Sequence, residues 1–153
     1  MDILIDTQIL IWLELLDESL SEQSKDHLTD INNNISVPEI CLLEIAIKQK
    51  IGKLPQLSWD TKTIEYQILK DGFYTMPIKT AHIFQYQFVP LNSEHRDPFD
   101  RLLIATAISE NMFLLSADRK FNRYTPQLQL IENLVKTINV TYASNNSRIP
   151  AKF

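Results

Sequence analysis

The residues that could do chemistry are acids. Asp6 follows the apolar run Ile3-Leu4-Ile5, and Asp118 stands two residues past the apolar part of Met112 to Ser116. Asp97 and Asp100 lie three apart at the start of an apolar helical stretch, so they share one face and can converge on a point. Glu44 lies among Leu42, Leu43, Ile45, Ala46 and Ile47, a costly setting for a carboxylate without a partner or a metal. Oxygen ligands gathered this way suit hard cations such as Mg²⁺ or Mn²⁺. A cation held there could polarise a phosphodiester and activate water. Each acid also has a capping reading, strongest for Asp97 before Pro98. Four acids from four separated elements at one sheet edge are harder to explain as caps. Nucleophilic triads find no support, because His27, His82 and His95 sit in unrelated contexts and no serine has a nucleophile-elbow setting.

The elements that must position these acids alternate short apolar runs with amphipathic segments, which predicts an α/β fold with a parallel sheet. Strands are expected at 3–5, 35–37, 73–77, 112–116 and 129–131. Helices are expected at 9–16, within 17–34, from Pro38 to Gly52, from Trp59 to Asp71 under a Ser58 cap, at 80–87 and from Pro98 to about Glu110. Gly52, Gly72 and Asn111 are the helix stops. Ligands of such sheets bind beyond the carboxyl ends of the strands, where Asp6 and Asp118 fall. Beyond Asn133 the pattern weakens: Val135 to Tyr142 alternates like a strand, and Ala143 to Phe153 reads as a loose tail. The division is a domain over 1–133 and an extension over 134–153.

Composition narrows the field. The chain has 153 residues, one domain's worth, with 44% hydrophobic and 22% charged residues. Two glycines exclude Gly-rich phosphate cradles, and the lone Cys41 excludes a disulfide framework or a cysteine-based zinc site. A net charge of −4 argues against coating nucleic acid by bulk electrostatics but not against an enzyme with clustered carboxylates. No leader or membrane-length apolar run is visible, so a cytoplasmic location is the expectation. Lys48, Lys50 and Lys53 follow Glu44, and Arg101, Arg119, Lys120 and Arg123 flank the other acids. Lys48, Arg101, Arg119 and Lys120 are the candidates to grip phosphates of a single strand, against the plainer reading of solvated helix faces. Trp12, Trp59, Phe99 and Phe121 read as core rather than base-stacking surfaces.

The stretches ILIDTQILIWL, ISVPEICLLEIAIKQKIGKL, HRDPFDRLLIATA and LLSADRKFNRY, in that order, resemble PIN-domain proteins, and more narrowly the VapC-like ribonuclease toxins of type II toxin–antitoxin pairs. The resemblance covers Met1 to about Ile131, and Asp97-Pro98-Phe99-Asp100-Arg101 is its most specific piece. It implies an α/β/α sandwich with a central parallel sheet and an acid cluster binding Mg²⁺ or Mn²⁺. It implies hydrolysis of RNA to 5′-phosphate and 3′-hydroxyl ends, and an antitoxin that holds the toxin inactive. By motif, Asp6, Glu44, Asp100 and Asp118 are the catalytic and metal-binding acids, with Asp97 an additional one. Gln8 departs from the histidine common at that place. A homodimer is expected through Leu13, Leu16 and Leu20.

Two rivals remain at this stage. A phospho-acceptor receiver domain needs paired acids after the first strand and a late lysine, whereas Asp6 is followed by Thr7 and Gln8. A non-catalytic RNA- or protein-binding module of the same fold would keep the acids without using them.

Overall fold

The computed structural model describes residues 1–135. Five parallel strands form one sheet in the order β3-β2-β1-β4-β5: β1 (Asp2–Ile5), β2 (Asn34–Pro38), β3 (Tyr74–Met76), β4 (Phe113–Ser116) and β5 (Gln129–Glu132). Helices α1 (Thr7–Glu14), α2 (Glu22–Thr29), α3 (Glu39–Lys50), α4 (Thr61–Lys70), α5 (Thr80–Tyr86) and α6 (Pro98–Ser109) make the connections. A 3₁₀ turn at Arg119–Tyr124, which the apolar pattern does not announce, follows β4.

The sheet separates two cores, as strand alternation requires. Ile3 and Ile5 point to the face covered by Ile9, Leu10, Ile45, Ile64 and Ile68, whereas Leu4 and Leu114 face Leu103, Ile104 and Phe121. Such fully buried aliphatic side chains contribute about 1.5–3 kcal/mol each to folding. The result is the parallel α/β sheet that the alternating pattern leads one to expect, in the α/β/α sandwich that the resemblance implies.

The helix stops work through the left-handed backbone. Gly52 (φ 72°) and Gly72 (φ 82°) follow the last residues of α3 and α4, and Asn111 (φ 53°) follows α6. Several expectations need correction. Asp60, not Ser58, caps α4, its carboxylate accepting from Thr63 N at 2.7 Å. Pro38 closes β2 rather than opening the helix, because its extended backbone (ψ 138°) still pairs with Met76 of β3. Leu20 is 4% exposed and belongs to the core, so it cannot serve a dimer interface, whereas Leu16 is 89% exposed. Trp59 is 43% exposed, outside the core. Apart from Val135, the strand expected to Tyr142 and the tail to Phe153 lie outside the described residues. Among the described residues no helix is long and apolar enough to cross a membrane.

Candidate active site

Strand order decides where the site lies. From β1 the chain runs outward through β2 and β3, then crosses back to place β4 on the other side of β1. The connections leaving β1 and β4 therefore diverge, and the crevice at their carboxyl ends is the switch point where open parallel sheets bind ligands. A pocket of about 290 Å³ opens there, lined by Asp6, Thr7, Gln8, Glu44, Lys48, Asp100, Ala117 and Asp118.

Each acid is held from its own element. Asp6 continues the β1 ladder through N–H to Leu115 O (3.1 Å) and caps α1 by accepting from Gln8 N (3.1 Å). Its other oxygen accepts the hydroxyl of Ser116, at the end of β4, at 2.5 Å. Burial pushes the Asp6 carboxyl up to about 6, against the lowering pull of the Ser116 and Gln8 bonds, and the charges of Asp100 and Glu44 add to the rise. Glu44, on the half-buried side of α3, accepts from Thr7 Oγ1 at 2.5 Å and pairs with Lys48 Nζ at 2.7 Å. These partners explain how an acid survives in its apolar stretch. Asp118 caps the 3₁₀ turn, accepting from Lys120 N at 2.9 Å, while its own N–H donates to Ser116 Oγ at 3.0 Å.

Asp100, in the first turn of α6, bonds His95 Nε2 through Oδ2 at 2.8 Å. Burial raises its carboxyl above the usual range, partly offset by that bond, and the neighbouring charge of Asp97 adds to the rise. His95, Asp100 and Asp118 bring one ligand atom each within 4.8 Å of one another. The carboxylates of Asp6, Glu44, Asp100 and Asp118 form a crowded, oxygen-rich donor set of the kind a hard divalent cation takes, so these residues fit Mg²⁺ or Mn²⁺.

The structure thus brings Asp6, Glu44, Asp100, Asp118 and Lys48 to one pocket. It leaves Asp97 outside the lining: Asp97 is exposed and caps α6, accepting from Phe99 N at 2.8 Å. Arg119 and Lys120 are exposed just beyond Asp118. Arg101 is placed elsewhere and corrects the phosphate-grip reading. Its side chain is buried, donates to Val89 O (2.8 Å) and Pro90 O (2.7 Å), and lies over the Tyr86 ring at 5.1 Å. Its charge is spent on tying the 89–90 loop to α6. Arg123 is likewise engaged, donating to Asn92 Oδ1 and pairing with Glu94. Sequence reasoning missed Thr7 and Ser116, for which a hydroxyl at a strand end was the available signal. It also gave His95 no part in the site, although the histidine lies five residues before Asp100, to which it bonds.

An α/β/α sandwich with an acid-lined pocket at the switch point is the architecture of this chain. The chain belongs to the PIN domain family, whose model matches residues 3–125. That membership displaces the receiver-domain alternative. No curated protein matches the sequence.

Solved structures agree on the fold. A chain of VapBC2 from Rickettsia felis, bound to a DNA fragment from the promoter, superposes with a TM-score of 0.63 at 21% identity, covering 86% of this chain and 98% of that one. DNA-bound VapBC from Salmonella typhimurium gives 0.60 at 12% identity, with 88% and 99% covered. VapBC-5 from Mycobacterium tuberculosis, a member of the VapBC family of toxin–antitoxin systems, gives 0.52 at 14%, with 88% and 98% covered.

Proposed function

We propose that this protein is a Mg²⁺- or Mn²⁺-dependent endoribonuclease and the toxin of a toxin–antitoxin pair, acting in the cytoplasm. The observation that carries the reading is the convergence of Asp6, Glu44, Asp100 and Asp118, from four separate elements, on one switch-point pocket. Family membership and the likeness to VapBC structures support it.

Asp6, Asp100 and Asp118 would hold the cation, with Glu44 completing the negative wall. When bound, the cation supplies Lewis acidity to the phosphodiester and lowers the cost of ionising water. The chain's own residues do the rest. Ser116 holds one Asp6 oxygen, and the Gln8 amide holds the other. Thr7 and Lys48 keep Glu44 from swinging out of the pocket. Lys48, Arg119 and Lys120 supply positive charge at the rim for the phosphates on either side of the scissile bond.

The proposed antitoxin has an apolar groove available, lined by Ile40, Ile83, Tyr86, Pro98, Phe99 and Leu102, one residue from Asp100 along α6. The proposal extends to a homodimer using exposed Leu16, and a monomer by light scattering at micromolar concentration would remove that part.

The test of the activity is cleavage of structured RNA by the purified full chain, free of any partner, in Mg²⁺ or Mn²⁺ and in EDTA. Cleavage in metal only, and its loss in Asp100→Asn with folding intact, is the expected result. Intact RNA after incubation with the metal-loaded protein would overturn the reading.

A further inference from the structure

His95 stands in a loop between α5 and α6, yet it is 2% exposed. The loop is fastened at several points. His95 N–H donates to Asn92 O at 3.1 Å, an isolated bridge pairs the same two residues, and Arg123 holds Asn92 and Glu94 from the 3₁₀ turn. The imidazole is walled by the same turn. Phe121 meets it edge-on with centroids 5.2 Å apart, and Tyr124 packs at 5.5 Å. Nε2 is 2.8 Å from Asp100 Oδ2, whereas buried Nδ1 has no hydrogen-bond partner.

We infer that His95 is a positioning residue of the metal site, fixed as the Nε2–H tautomer, which donates to Asp100 and sets the orientation of that carboxylate without itself ligating the ion. This rests on the nuclease reading of the pocket for its purpose, and on the loop geometry for its content. The tautomer follows from the two ring nitrogens. A proton on Nδ1 would bury an N–H with no acceptor and bring two lone pairs face to face across the 2.8 Å gap to Asp100. A proton on Nε2 makes a charge-assisted bond and leaves Nδ1 as the bare nitrogen. An Nε2 that carries a proton has no lone pair to give a metal. Its effect is to hold Oδ2, leaving Oδ1, which accepts no hydrogen bond among the described residues, as the uncommitted oxygen.

One short turn therefore aims two acids. Asp118 is its cap, and Asp100 is set through the histidine that Phe121 and Tyr124 hold in place.

Two measurements on the full chain test this. Nitrogen NMR of the metal-free protein, with His95→Gln to assign the signals, should show His95 protonated at Nε2 and bare at Nδ1. Calorimetric titration with Mn²⁺ should show His95→Phe binding 10–100-fold more weakly than wild type. The metal-free melting temperature of that variant should not fall, because an aromatic ring still fills the space. His95→Gln, which restores an N–H near the Nε2 position, should recover most of the affinity. An Nδ1–H tautomer, wild-type Mn²⁺ affinity in His95→Phe, or hyperfine coupling of bound Mn²⁺ to the His95 nitrogen would each overturn the inference. A wild-type protein that binds no Mn²⁺ would sink the nuclease reading instead, and the NMR tautomer would still decide the role of His95.

Discussion

The hydroxyl of Ser116 donates to Asp6 Oδ2 at 2.5 Å, joining the carboxyl ends of two adjacent parallel strands through side chains where the backbone ladder runs out. Ser116 Oγ in turn accepts from the Asp118 backbone N–H, so Ser116 links two acids of the pocket.

Replacing Ser116 with Ala removes the strongest influence lowering the Asp6 carboxyl and frees its orientation. Mn²⁺ affinity and RNA cleavage should fall about 10-fold or more, the usual range for losing a group that orients a metal ligand. Metal-free stability should drop by only about 1 kcal/mol. Calorimetry with Mn²⁺ and thermal melts of the same preparation separate these effects.

Asp97→Asn should keep both fold and cleavage, because Asn caps a helix as well as Asp does. Asp97→Ala should cost about 1 kcal/mol of stability through the lost bond to Phe99 N–H and still cleave RNA. Loss of cleavage in the Asn variant, with melting unchanged, would return Asp97 to the metal site.

Arg101→Ala should be a folding defect rather than an RNA-binding defect. It strands the buried carbonyls of Val89 and Pro90 and removes the cation over Tyr86, a loss of about 2–4 kcal/mol. Denaturant unfolding should register that loss. RNA affinity, measured at a temperature where the variant is fully folded, should match wild type.

Glu14, at the end of α1, has a buried Oε1 with no hydrogen-bond partner, and burial together with the charge of Asp71 pushes its carboxyl to about 7 from an ordinary 4.5. Between those values the folded protein binds more protons than the unfolded chain, so Glu14 lowers stability as pH rises from about 4.5 to 7 and flattens above. The full linkage is about 3 kcal/mol, reduced to about 1–2 kcal/mol because part of the side chain stays in water. Glu14→Gln should thus match wild type near pH 4.5 and melt about 3–6 °C higher at pH 8. Equal melting temperatures at pH 8 would refute the assignment.

Much of the fold is legible in the sequence. Short apolar runs and Gly52, Gly72 and Asn111 located strands and helix ends, because burial and left-handed backbone leave plain marks in composition. Asp6 and Asp118 are marked by falling just after strands, Asp100 by the start of an apolar helix, and Glu44 by its apolar surroundings. What composition carries poorly is partnership. Whether Arg101 meets water or the Val89 and Pro90 carbonyls depends on how a loop folds over α6. Thr7 and Glu44 are 37 positions apart, and Ser116 and Asp6 are 110 apart. Such contacts arise only from strand order, which local patterns do not encode. The placement of β4 beside β1 was invisible for that reason, and with it the bond that Ser116 makes.

That strand order also governs when the pocket comes into being. Asp6, Glu44 and Asp100 are made earlier, but Ser116 ends β4 and Asp118 follows it, and β4 pairs with β1 only after the chain has passed through β2, β3 and α6. Contacts of such long sequence separation form late and together. A nascent or truncated chain ending before β4 carries three of the four acids and no crevice. Under the proposed nuclease reading, a ribosome making this protein is therefore tethered to a chain without a formed pocket until β4 has been made.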